Sequence, residues 1–369
     1  MLIEPVSADV FLLVMLYGAG AAISAVACLY LLLRRSNVFA PGVKTFERLR
    51  RWAILFLAVL FLGHLWYVPV TIFTSKDAIM TALLIGAFLD CITVIPLSIV
   101  ILLCMLQDRR RPLWPVAIMT IPMVAMVVAC MVQRSLALVP VFKLYMFLLG
   151  VGLTVYMVRE VRRYRRWLSE NYADLEDKEV WKTFLAFAVF LLAFGIYVSG
   201  DGGPVYESVV QMCSILLTCF LLWRVETLPE LNSLTPDPSP TSTPIAPSRG
   251  GGGEALANIE QLMDERCVGG QLYLQHDLSL LQLAQTLGIN RFYLSQYFSR
   301  QGTTYNAYIN DLRIQHFMRL YRETVQNGQT IGVQQLANDS GYRSYSTFSL
   351  AFKQRMGKSV TAWMREQAS

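Results

Sequence analysis

Seven apolar stretches of membrane-spanning length, at about 9–33, 52–74, 79–105, 113–132, 137–158, 183–199 and 206–223, dominate this 369-residue chain. Hydrocarbon offers no water to an unpaired peptide group, so a run of this kind is predicted to be helical, with its backbone bonds closed inside each segment. The composition agrees. With 54% apolar and 16% charged residues and a mean hydropathy of +0.43, the chain exceeds an ordinary soluble domain in apolar content and falls short in charge. No basic segment precedes the first stretch and more stretches follow it, which argues against a cleaved secretory signal. The stretch at 79–105 is long enough to tilt or bend, and 183–199 is short.

Basic residues alternate between the connecting loops. Arg34, Arg35, Lys44, Arg48, Arg50 and Arg51 follow the first stretch, Arg109 to Arg111 follow the third, and Arg159, Arg162, Arg163, Arg165, Arg166, Lys178 and Lys182 follow the fifth. The other loops hold Lys76, Arg134 and, at 200–205, none. The positive-inside rule then places the N-terminus outside and the C-terminal part in the cytoplasm. Topology and contact with anionic lipid account for these clusters, so they are not assigned to nucleic acid.

Residues 228–254, LPELNSLTPDPSPTSTPIAPSRGGGGE, cannot bury a core and interrupt any helix with Pro and Gly. They divide the chain into a membrane domain at 1–227, a flexible linker at 228–254 and a soluble domain at 255–369. Six of the seven cysteines lie in apolar stretches and Cys267 in the soluble part, none in a CxxC pair. With three histidines in all, a zinc site lacks ligands, and neither a cofactor nor a metal is expected. No Walker loop or nucleophile–base pair is present, and Asp174 and Glu176 read as members of a solvated polar loop. A catalytic role is not expected.

The soluble part carries two similar patterns. In LSLLQLAQTLGINRFYLSQYF (278–298), Leu280, Leu283, Ala284 and Leu287 recur on one helical face, Gly288 permits a turn, and Asn290 is placed to cap a second helix with Leu294 and Phe298 inward. In IGVQQLANDSGYRSYSTFSLAFKQRMG (331–357), Ile331, Val333, Leu336 and Ala337 supply the first helix, Gly341 the turn, Ser344 the cap, and Phe348 and Phe352 the inward side of the second. A leading helix over 255–267 and a spacer helix over about 305–323 complete the expectation. Two helix-turn-helix units on a helical spacer suit successive major-groove faces of one duplex, about 34 Å apart. The fold class expected is all-α, a seven-helix transmembrane bundle followed by a flexible linker and a tandem helix-turn-helix DNA-binding domain.

Over residues 257–367 this layout resembles the DNA-binding domain of the AraC/XylS family of transcription regulators, on the two patterns above together with YNAYINDLRIQHFMRL and GYRSYSTFSLAFKQRMGKSVTAW. The resemblance implies that Phe292, Ser295 and Gln296 occupy outward positions of the first recognition helix, and Tyr345, Ser346 and Ser349 those of the second. It also implies a structural or backbone-facing role for Arg313. The sequence departs from the family in having Phe317 for a small residue, Leu336 for Ile, Tyr342 for Phe and Val360 for Pro, replacements that a core absorbs by repacking. Leu350 stands where many relatives carry Arg.

Each side chain suits a part of the duplex. Gln296 can pair with adenine, Ser295 and Ser346 can meet polar base edges, and Phe292 or Tyr345 can pack on thymine methyls. Arg291, Arg300, Arg343, Lys353 and Arg355 suit phosphate, giving affinity and register rather than discrimination. Eleven basic and eight acidic residues in 255–369 leave a net charge of only +3, so a homodimer or membrane confinement would raise local concentration at paired sites.

In the membrane half, His64 and Asp90 fall near mid-span on consecutive helices, either as a pair or satisfied separately, while Lys143 and Glu207 lie nearer the outer ends; these four are the candidate sensing or packing residues. Pro69, Pro96, Pro115, Pro122 and Pro140 can bend helices and open a ligand cavity. The reading is a regulator that couples an envelope or membrane signal to transcription, with double-stranded DNA, membrane lipid and an unidentified ligand or membrane protein as partners. Its competitors are a receptor or transporter whose helical tail binds a protein, and a regulator for which the membrane part is a passive anchor.

Overall fold

Apolar runs too long for a soluble core become long helices with greasy exteriors. The computed structural model describes residues 8–34, 46–70, 73–175, 178–188, 204–231, 258–328 and 332–368. Seven helices are bounded on both sides among the described residues of the N-terminal part: α1 (Ala8–Leu33), α2 (Glu47–Val70), α3 (Lys76–Ile92), α4 (Val94–Met105), α5 (Trp114–Gln133), α6 (Val139–Asn171) and α7 (Pro204–Thr227). Among the described residues six spans are long and apolar enough to cross a membrane, with α3 and α4 together forming one of them. Six of the seven expected stretches therefore have their helix. The seventh, 183–199, is helical through 188 and otherwise lies outside the described residues.

The chain divides into two compact units: 1–164 with 180–233, and 165–179 with 234–369. In the first, α1 packs on α2 and α7, and α3 on α5. Phe11, Leu29, Phe147 and Leu216 project outward, each more than half exposed. In water such a surface would drive association; in lipid it is solvated.

The bend expected within 79–105 occurs at Thr93, between α3 and α4. Pro96 has no N–H to give Ile92 four residues back, so the ladder breaks there. The Thr93 hydroxyl donates to Leu89 O at 2.6 Å.

Two of the loop arginines ascribed to topology are buried in protein contacts. Arg50 donates through Nε and Nη2 to Leu31 O at 2.9 and 2.6 Å, capping the end of α1. Arg111 donates to Glu160 at 2.7 Å and Asp108 at 2.8 Å, and Arg109 donates to both Glu160 oxygens. At the start of the expected linker, Leu228 and Leu231 are buried and the Gln107 amide bonds Pro229 O and Leu231 N at 3.0 and 2.9 Å. Residues 232–254 lie outside the described residues.

His64 and Asp90 are satisfied separately. His64 Nδ1 donates to Leu60 O at 2.7 Å, and Asp90 accepts from the Tyr67 hydroxyl at 2.8 Å. The Tyr17 ring centroid lies 6.0 Å from that of His64 and 6.2 Å from that of Tyr67. Lys143 and Glu207 are half-buried.

The second unit contains a helical turn at 258–262 that continues as a π-helical turn (Met263–Gly269), a 3-10 turn (Leu272–Leu274), and helices α8 (Leu280–Leu287), α9 (Arg291–Arg300), α10 (Tyr305–Gln326), α11 (Val333–Asp339), α12 (Tyr345–Met356) and α13 (Val360–Ala368). The leading helix runs two residues beyond its expected end, and its widened turn places both Met263 and Cys267 fully inside. Burial pushes the Cys267 thiol up to about 12, consistent with inert filler.

Candidate nucleic-acid interface

The spacer helix α10 serves two separate cores. Ile309 belongs to the first, with Leu280, Leu283, Leu287, Leu294 and Phe298; Ile314 and Phe317 belong to the second, with Leu336, Phe348, Phe352 and Trp363. Each core fixes one pair of short helices, which neither pair achieves through its own length.

The turns at Gly288 and Gly341 and the caps at Asn290 and Ser344 are as expected, and α8 gains a further cap that its sequence reading did not name. Ser279 Oγ accepts from Gln282 N while Gln282 Oε1 accepts from Ser279 N, closing a capping box on α8. Gly288 ends α8 at φ +73°, and Asn290 Oδ1 accepts from Phe292 N at 2.8 Å to start α9. In the second unit Ser344 Oγ accepts from Thr347 N at the head of α12. Gly341 has φ +90°, and a Cβ there would stand 2.9 Å from both Leu274 Cα and Leu274 O. Its turn therefore needs glycine for space as well as for torsion.

This scaffold leaves one side of each second helix open. On α9, Phe292 is 67% exposed, and Ser295, Gln296 and Arg300 are also exposed. On α12, Tyr345 and Ser346 are exposed and Ser349 half-buried, while Tyr345 keeps one edge 5.9 Å from the Phe348 ring. Leu350 is 60% exposed, and Lys353 and Arg355 are exposed. Ser346, Ser349, Leu350 and Lys353 share one face by their helical spacing.

Several cations proposed for phosphate are held by protein groups. Arg291 donates to Asn171 Oδ1, Arg343 pairs with Asp277, and Arg355 pairs with Asp311. Arg313 is fully buried. It donates through Nε to Tyr273 O at 2.6 Å, through Nη2 to Gln275 O at 2.7 Å and through Nη1 to Asp174 Oδ1 at 2.8 Å, and it lies over the Tyr342 ring. It joins helix, turn and a distant acid, and does not face outward.

Asp174 corrects the sequence reading. Rather than a solvated loop residue, it is buried and also accepts from Asp277 N at 3.0 Å. Its partner Arg313 stands 139 positions later, so no local spacing discloses the pair. The available signal was the register of Arg313 on the inward face of α10, four positions from both Ile309 and Phe317, where a charge needs a counter-ion from elsewhere in the chain. Glu176 lies outside the described residues.

Residues 283–366 match the family model of a helix-turn-helix domain, a non-catalytic DNA-binding fold, and the match runs from α8 into α13. No curated protein and no solved structure matches the chain. Among the described residues no group of three or more His, Cys, Asp or Glu is arranged to hold a metal ion.

Proposed function

We propose that this chain is a membrane-embedded, sequence-specific transcription regulator of the AraC/XylS type, which couples an envelope or membrane signal to gene expression in a bacterium. The observation that carries this reading is the exposure of Phe292, Ser295 and Gln296 on α9 and of Tyr345 and Ser346 on α12, two helices whose opposite sides are locked into separate cores on one spacer. Aromatic, hydroxyl and amide groups at those positions suit thymine methyls, base edges and adenine. Arg300 and Lys353 suit the flanking phosphates, joined by Arg291, Arg343 and Arg355 when their protein partners yield to DNA.

The six apolar spans support a multi-pass location, and the loop charges support an outside N-terminus with a cytoplasmic C-terminal domain. Homodimerisation on paired sites would offset the modest net charge.

Genome-wide occupancy of the full-length protein, tagged at its C-terminus, tests this reading beside a Phe292→Ala/Gln296→Ala/Tyr345→Ala variant of equal membrane abundance. Discrete peaks that vanish in the variant are expected. Peaks that survive it would reject these base readers, and absence of peaks with recovery of a specific protein partner would favour a receptor with a protein-binding tail.

A further inference from the structure

The segment Arg165–Glu179 follows the fifth apolar stretch in sequence, yet it belongs to the same compact unit as the helix-turn-helix domain. Its described residues are bound there at several points. Ala173 is buried in the first core and its N–H donates to Leu278 O at 3.2 Å, beside an antiparallel bridge between Tyr172 and Ser279. Asn306 donates to the carbonyls of Tyr172 and Ala173. Asp174 fills the anion position of Arg313, and Lys178 reaches Asp277 at 3.0 Å. Trp167 packs edge-on against Tyr172.

What this segment covers matters more than how firmly it is held. Asn171 accepts from Arg291, a phosphate candidate at the start of α9. Glu170 lines a cleft with Ser295 and Ser299, on the helix side proposed to enter the groove. A carboxylate at that position would repel a phosphate brought to α9.

We propose that Glu170 and Asn171, at the end of α6, are an internal ligand of the first recognition helix that competes with duplex DNA, while Ala173 and Asp174 stay docked in the domain. The inference rests on the DNA-binding reading above. The docked segment is continuous through α6 with the apolar stretch before it, so this route to the DNA reader does not pass through the Pro- and Gly-rich linker. Moving the end of α6 aside raises the binding-competent fraction, and apparent affinity rises in proportion.

The experiment uses full-length protein in lipid nanodiscs with a random-sequence DNA duplex at low salt, reading affinity together with hydrogen exchange at the Asn171 amide, the last of α6. Glu170→Ala/Asn171→Ala removes both side chains and spares the buried Asp174–Arg313 pair. The double variant is expected to bind about tenfold tighter than the parent, and saturating DNA is expected to deprotect the Asn171 amide in the parent. Equal or weaker binding by the double variant, with Asn171 protected throughout in the parent, overturns the competition while leaving DNA binding intact. No binding by either protein overturns the DNA reading, and this inference with it.

Discussion

Phe317 and Phe348 lie with ring centroids 4.4 Å apart at the centre of the second helix-turn-helix core, and Phe352 and Trp363 close around Phe317 at 5.9 and 6.2 Å. A large ring stands where the resemblance calls for a small residue, and the surrounding aromatics are arranged about it. Phe317→Ala is therefore expected to cost about 3–5 kcal/mol through lost burial and an unfilled cavity, and not to be tolerated as a return to the family pattern. Hydrogen exchange of the α12 amides in the intact protein measures it; protection unchanged in the variant would show that the core closes over the gap.

Gly288 and Gly341 occupy equivalent turns but differ in their surroundings. A Cβ at Gly288 meets nothing within 4 Å, whereas one at Gly341 meets the Leu274 backbone at 2.9 Å and Arg313 Nε at 3.0 Å. Gly288→Ala is expected to cost about 1–2 kcal/mol from its left-handed torsion. Gly341→Ala carries the same torsional cost plus the displacement of Leu274 and Arg313, so it is expected to be the worse of the two. Unfolding monitored by hydrogen exchange in each half of the domain ranks them, and equal losses would contradict the steric argument.

Glu160 is 1% exposed and accepts from Arg109, Arg111 and Arg163. Glu160→Gln removes the carboxylate from beside a buried guanidinium, which is expected to cost about 3–5 kcal/mol. Arg163→Ala removes a side chain that is 67% exposed and should change stability little. Thermal unfolding in detergent separates the two, and similar melting temperatures would show that the cluster is screened by water.

His316 Nδ1 lies 3.0 Å from the Tyr273 hydroxyl and 2.7 Å from Arg319 Nη2, so it accepts and the ring is neutral with its proton on Nε2. Burial, reinforced by the charge of Arg319, lowers its pKa from the ordinary 6.5. The unfolded chain then binds a proton more readily than the folded one. The stability this contributes is present above pH 6.5 and declines as pH falls below that value toward the lower folded pKa. Histidine-selective NMR of the full chain should place His316 below 6.5, and a parent that loses no more stability on mild acidification than His316→Gln would refute this account.

Leu350 presents an apolar side chain on the same face as Ser346 and Lys353. Leu350→Arg is expected to tighten binding to random duplex and steepen its salt dependence by about one counterion. An unchanged slope would mean that this position stays clear of phosphate.

Six of the seven apolar stretches, both turn glycines and the helix caps Asn290 and Ser344 were readable in order because each depends on neighbours a few positions away: a length of apolar chain, a torsion only glycine adopts freely, a side-chain oxygen beside an unpaired N–H. The outward positions on α9 and α12 followed from helical spacing, once the resemblance had marked the second helix of each pair. Tertiary structure decided the rest. Asp174 and Arg313 gain their pairing only when both leave water in the same place, and nothing local to either announces it. The same holds for Arg50 at the end of α1, Arg111 on Glu160, and Asn171 on Arg291. A charged side chain in sequence reads as solvated; which charges a fold buries, and against what, is settled by packing that brings together residues far apart in the chain.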